Sequence, residues 1–167
     1  MEGDALQQLY MKYKTPIYLY LYAMCRNPAV AEDLTQDTFV KALLSLSGEH
    51  DNVKAWLYMV ARNLYLNYRK REVRNISWDE IPHQEDIGED QLVAQLILSE
   101  KKRLLFRGIS KLPANKREVL ELQYFGGLTQ KEIAAVLGLS NANVRVLVLR
   151  AKRELKCFLE ENGYDFS

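Results

Sequence analysis

Residues 138–155 read GLSNANVRVLVLRAKREL. At 100° per residue, Val144, Leu147, Val148, Ala151 and Leu155 fall on one side of a helix, the side that seeks a core. Arg145, Lys152 and Lys156 form one flank, Arg150 and Asn143 the other, and Val146, Leu149 and Arg153 face outward between them. Gly138 supplies a turn and Ser140 a cap. Just upstream, Thr129 and Glu132 have the spacing of a capping box before IAAVL. A short helix, a Gly-containing turn and a second helix with a polar start have helix-turn-helix spacing. In that motif the second helix enters the major groove with its first turns on base edges. Ser140, Asn141, Asn143 and Arg145 stand at those first turns, with Arg150 and Lys152 nearer the phosphates. Asn and Arg suit the task because their paired groups match adenine and guanine edges. Exposed Val146 or Leu149 fits a thymine methyl or a protein partner, and a solvated basic face is the bland alternative.

Moving outward, Pro113 opens a helix expected to run to about Phe125, where Gly126 and Gly127 stop it. In the first half, Tyr10, Tyr13, Ile17, Tyr20 and Met24 recur at steps of three and four, one buried stripe of a first helix holding Pro16. Asn27 and Pro28 then suit the N-cap and first position of a second helix. SLSGEHDN is a loop by composition, and Leu57, Val60, Ala61, Leu64 and Tyr68 mark a third helix to about Arg74. Strand-like alternation is missing throughout. The expected fold is all-α: two small helical domains, residues 1–74 and 99–167, joined by an acidic linker over 75–98 with a helix from about Leu92.

Charge sharpens this division. The chain of 167 residues has a net charge of +1, which hides strong segregation. Residues 54–74 carry six Lys/Arg against one Glu, and 101–160 carry thirteen Lys/Arg against five Glu. Between them, 75–100 holds seven Asp/Glu and no Lys/Arg. Two cationic surfaces joined by an acidic connector point to two anion-binding regions. The first of these has its own pattern. Tyr58, Arg62, Tyr65 and Arg69 share one stripe, and Trp56, Asn63, Asn67 and Lys70 the opposite flank. Flat rings stack on unpaired bases while cations hold phosphates, so this helix suits single-stranded nucleic acid, or else its tyrosines pack on a neighbouring helix.

Other classes are disfavoured. The longest apolar run, IYLYLYAM at 17–24, is far short of the roughly 18 residues that span a bilayer, and the first residues lack a signal-peptide pattern. Cys25 and Cys157 are expected to be reduced thiols of a cytoplasmic protein. They and the isolated His50 and His83 have no ligand-like spacing, so neither a metal nor another cofactor is expected. The carboxylate pairs Glu32–Asp33 and Asp79–Glu80 are adjacent rather than facing, and no nucleophile–base set stands out; no enzyme and no small-molecule substrate are expected. A stand-alone dimeric helix-turn-helix regulator explains residues 112–156 but leaves 31–74 without a purpose, and a helical protein-binding adaptor is the other rival.

Three stretches together carry a resemblance: AEDLTQDTFVKAL at 31–43, AWLYMVARNLYLNYRKR at 55–71, and LPANKREVLELQYFGGLTQKEIAAVLGLSNANVRVLVLRAKREL at 112–155. In order and spacing they resemble the extracytoplasmic-function (ECF) group of sigma-70 family RNA polymerase sigma factors, over nearly the whole chain. The resemblance implies a first domain that grips the clamp helices of the largest polymerase subunit through Asp33, Gln36, Asp37 and Phe39. It implies capture of the −10 non-template strand by residues 45–53 with Trp56, Arg62, Asn63, Asn67, Arg69 and Lys70. It implies −35 reading by Asn141, Asn143 and Arg145, a linker threading polymerase channels, and control by an anti-sigma factor. This chain departs from the family pattern at Asn67, commonly Asp. It departs again in the recognition helix, where NVRVLVLRA stands for a common TVKSRLHRA. Asn143, Val146, Leu147 and Leu149 there replace Thr, Ser, Arg and His.

Overall fold

The computed structural model describes residues 3–45, 52–75 and 91–163. Residues 46–51 of the expected base-capturing loop (45–53) and residues 76–90 of the expected acidic linker (75–98) lie outside the described residues. Every regular element among the described residues is helical. The chain divides into two compact units, Met1–Asp86 and Ile87–Ser167.

The first unit is a three-helix bundle of α1 (Gly3–Cys25), α2 (Pro28–Ser45) and α3 (Val53–Asn75), each packed on the other two. α1 continues through Pro16. Beyond it the expected single stripe widens, and every residue from Ile17 to Met24 is buried. A helix apolar all round belongs inside, and this one is the bundle's centre. Tyr10 and Tyr13, earlier on α1, are only half-buried. Arg26 adopts a left-handed φ of 56°, closing α1, and its N–H donates to the Tyr22 carbonyl at 2.8 Å. Asn27 caps α2 as expected: its Oδ1 accepts from the N–H groups of Ala29 (3.0 Å) and Val30 (3.3 Å). Inside α2 the buried hydroxyls of Thr35 and Thr38 donate to the carbonyls of Ala31 and Leu34, so neither is left unpaired. Asn52 caps α3, accepting from the Ala55 N–H at 3.0 Å.

The second unit contains α4 (Gln91–Leu96), α5 (Glu100–Ser110), α6 (Ala114–Leu120), α7 (Gln130–Leu137) and α8 (Asn141–Glu161). Val93 and Ile97 are buried, so the part of the expected linker at 91–97 belongs to this unit. Apolar burial recruits it despite the acid just upstream. Long α8 is the spine; α5, α6 and α7 pack against it. Gly108 marks the tightest approach, since a Cβ there would stand 2.8 Å from the Leu155 side chain. The helix opened by Pro113 does not stay α to its end. Glu121–Phe125 forms a π turn, with the Gly126 N–H donating to the Glu121 carbonyl at 2.9 Å.

Candidate nucleic-acid interface

The helix-turn-helix is built by local chemistry. Thr129 Oγ1 accepts from the Glu132 N–H at 3.1 Å, and the Glu132 carboxylate accepts from the Thr129 N–H at 2.9 Å. That completed capping box starts α7. Gly138 ends it in the left-handed region (φ 68°), which a side chain would strain. Ser140 Oγ then accepts from the Asn143 N–H at 3.1 Å and starts α8. α8 turns 106° from α7, within the range of helix-turn-helix motifs. Ser140 therefore serves first as a cap, while Asn141, Asn143, Arg145, Arg150 and Lys152 all stand exposed. The Lys152 ammonium lies over the Tyr124 ring, 5.8 Å from its centroid. Core-facing Val144, Val148, Ala151 and Leu155 are buried as expected; Leu159 extends the row, and Leu147 is half-buried. Val146 (45% exposed) and Leu149 (50% exposed) stand out among the cations.

α3 corrects the sequence reading. Tyr58 is 0% and Tyr65 4% exposed, so the stripe expected to stack on bases is the one turned into the bundle. Tyr58 meets Tyr20 edge-on, ring centroids 5.5 Å apart, and the Tyr65 hydroxyl donates to the Met24 carbonyl at 3.2 Å. Arg62 and Arg69 lie at the margin of that stripe; Arg69 Nη1 donates to the Tyr65 oxygen at 3.5 Å. The opposite flank is the outward one. Asn63, Asn67 and Lys70 are exposed there and Trp56 is half-buried. Met59, which the sequence reading passed over, is exposed on the same face, three residues after Trp56 and four before Asn63. A wheel centred on Leu57 and Ala61 would have found it.

On α2, Asp33, Gln36 and Asp37 are exposed, but Phe39 is buried edge-on against Tyr10, 5.0 Å between centroids. Phe39 is thus a packing residue rather than part of the exposed face of α2. The aliphatic members of the outward face are Val40, Leu43 and Leu44, the last 78% exposed. They share it with the three polar residues at helical spacing, a signal present in the sequence. Gln36 Nε2 donates to the Tyr10 hydroxyl oxygen at 3.4 Å, which holds the amide at the α1 edge of that face.

Glu121, also unforeseen, is fully buried in the π turn, and its carboxylate oxygens have no hydrogen-bond partner among the described residues. Burial pushes its carboxyl well above the usual carboxylate range, with the Arg117 guanidinium pulling partly back.

An all-helical chain with one cationic helix on a bundle and another in a helix-turn-helix defines a two-part nucleic-acid-binding protein. Similarity to known proteins makes this specific. Residues 9–75 match the family "Sigma-70 region 2", and 102–155 match "Sigma-70, region 4". The chain is 30% identical over 170 aligned positions to the ECF RNA polymerase sigma factor SigM of Bacillus subtilis (strain 168), covering 96% of this chain and 98% of that protein. It is 34% identical over 158 positions to RNA polymerase sigma factor YlaC of the same organism, covering 92% and 91%. Among solved structures, the sigma factor RpoE from Bartonella quintana, in complex with the anti-sigma factor NepR, superposes with a TM-score of 0.74. It is 24% identical and covers 94% of this chain and 98% of that one. CnrH, in complex with the cytosolic domain of CnrY, gives 0.65 at 24% identity, covering 97% and 92%. The chain belongs to the sigma-70 family of RNA polymerase sigma factors, in its ECF group. It is a transcription-initiation factor that acts with core RNA polymerase on promoter DNA, and it is not an enzyme.

Proposed function

We propose a division of labour among three outward faces. The α2 face of Asp33, Gln36 and Asp37, with Val40 and Leu44, docks on core polymerase. The α3 face of Trp56, Asn63, Asn67 and Lys70, with Met59 among them and Arg62 and Arg69 at its margin, takes the single-stranded −10 element. Asn141, Asn143 and Arg145 of α8 meet −35 base edges, with Arg150 and Lys152 towards phosphates. Residues 45–53 and the acidic connector complete the family's pattern of base capture and channel threading.

The observation that carries this is the place of half-buried Trp56 on the same flank of α3 as exposed Asn63, Asn67 and Lys70, on a helix separate from the duplex reader. Bases lost from the duplex stack cost a few kcal/mol each to extrude, roughly, and a ring offered nearby offsets part of that. Holding both readers on one polymerase makes the second contact intramolecular, so weak individual contacts suffice. The working compartment is the cytoplasm; no single described helix is long and apolar enough to cross a membrane. An anti-sigma factor holds the chain inactive, a reading supported by two proteins of the same fold: the sigma factor RpoE, solved with the anti-sigma factor NepR, and CnrH, solved with the cytosolic domain of CnrY.

The test is in vitro transcription with core polymerase and a promoter library, scored for start-site selection. Gln36→Ala with Leu44→Ala is expected to weaken polymerase binding without changing promoter preference. If about six phosphates are neutralised, promoter affinity falls about a thousandfold between 50 and 200 mM salt. A chain that never confers start-site selection refutes the proposal.

A further inference from the structure

Over its first half the outward centre of α8 is apolar where its flanks are cationic; Arg153, exposed one turn beyond Leu149, ends the apolar row. Ala142, Val146 and Leu149 follow one another at i, i+4 and i+7, and all three are exposed. On one side of this strip lie Arg145 and Lys152, on the other Asn143 and Arg150, all exposed. Core-facing Val144, Val148 and Ala151 are buried directly opposite, which fixes the strip as the part of the helix farthest from its own domain.

A major groove about 12 Å wide takes one helix, with a phosphate strand along each flank and base edges under the centre. Cations on both flanks match both strands. The floor then faces the strip, and the one apolar group that base edges place on that floor is the thymine 5-methyl. At 1.5 Å per residue, Ala142 to Leu149 spans about 10 Å, or about three base-pair steps. A polar side chain there reads donors and acceptors; an aliphatic one gains only by removing another apolar group from water. From this we infer that α8 selects its duplex by thymine methyls within a window of about three base pairs, with Val146 and Leu149 as specificity-determining residues. The inference rests on the −35 reading above and names what that reader prefers. Flanking Lys152 and Arg150 hold the two phosphate strands and so set the position along the groove, Arg145 and Asn143 reach base edges at the rim of the floor, and Ala142 keeps the entrance to the strip narrow enough for close approach.

The experiment uses holoenzyme assembled from the full chain and core polymerase. It is offered a duplex pool with a randomised block upstream of a fixed A/T-rich −10 segment. The enriched duplexes are expected to share thymines, on either strand, within one short window. Resynthesis with deoxyuridine for each of those thymines removes a single methyl and changes nothing in the protein. Affinity is expected to fall about fourfold per methyl that the strip covers. The double variant Val146→Ser with Leu149→Gln, both at exposed positions, is expected to bring the thymine-to-uracil ratio to about one. Enrichment without thymine overturns the inference, as does a wild-type ratio of one, or a ratio the double variant leaves intact. In each of those cases the −35 reading stands, because a sequence was still selected, and the strip passes to a protein partner. Failure to enrich any upstream sequence overturns the −35 reading together with the inference.

Discussion

α3 and α8 carry similar cargo, cations interleaved with large apolar side chains, yet they dispose of it in opposite ways. α3 turns Tyr58 and Tyr65 into its bundle and leaves Asn63, Asn67 and Lys70 outside. α8 buries a separate aliphatic row and leaves Val146 and Leu149 in solvent among its arginines. Periodicity states which residues share a side; it does not state which side the rest of the fold will cover. In α8 two apolar rows compete, and the denser row of Val144, Val148, Ala151, Leu155 and Leu159 wins the core. In α3 the tyrosines adjoin Leu57 and Ala61, so they join the denser row. An apolar residue left in the minority row is therefore the one free to meet a partner.

The sharpest way to break this contrast is Tyr58→Ala. Removing a fully buried ring that packs on Tyr20 is expected to cost about 3–5 kcal/mol, read by urea denaturation of the full chain. Unchanged stability with lost DNA binding would restore the tyrosine stripe as a base-stacking surface. Trp56→Ala comes next. It is expected to reduce promoter opening by about 1–3 kcal/mol, the value of one stacked base, with polymerase binding kept and a much smaller stability loss than Tyr58→Ala. Permanganate reactivity of unpaired thymines measures the opening, and equal loss of polymerase binding would contradict the separation of roles.

Glu121 probes the second unit from within. Its carboxyl is held above the usual range by burial, so the folded state keeps a proton that the unfolded chain releases. Its stability contribution is complete below the ordinary carboxylate pKa and is lost as pH rises through the raised folded value. Glu121→Gln is expected to flatten that decline across the acid-to-neutral range, with Arg117 still facing the site. Urea midpoints at several pH values check it, and a slope that survives the substitution places the titration elsewhere. The smallest effect is expected from Leu149→Ala: half-exposed, it should shift stability by no more than about 0.5 kcal/mol. A larger loss would mean that the strip packs on the chain itself.

Much of the architecture was legible because its determinants are short-range. The caps Asn27, Thr129 with Glu132, and Ser140 act within three residues of themselves, and each forms as the sequence indicates. The α8 core row was legible in Val144, Val148, Ala151 and Leu155, which recur at steps of three and four; Leu147, expected with them, is only half-buried. What misled was amphipathic chemistry. Tyr58 and Tyr65 carry a ring that suits a core and a hydroxyl that suits a surface, and only the neighbouring helix decides. Phe39 sits in a stretch like the family's polymerase-binding helix, but its ring is claimed by Tyr10 from another helix. Glu121 was invisible because a carboxylate in sequence reads as solvated, and nothing local announces the π turn that carries it inward. Residues 91–97 read as connector because the acid before them dominates the composition, while Val93 and Ile97 supply the burial.

Trp56 has a practical consequence. The chain holds two tryptophans, Trp56 and Trp78. With Trp78→Phe, all indole emission of the free chain comes from a single fluorophore, half-buried on α3. Its quenching and spectral shift would then time the arrival of a single-stranded oligonucleotide on the free chain, in a stopped-flow mixing experiment without any attached dye.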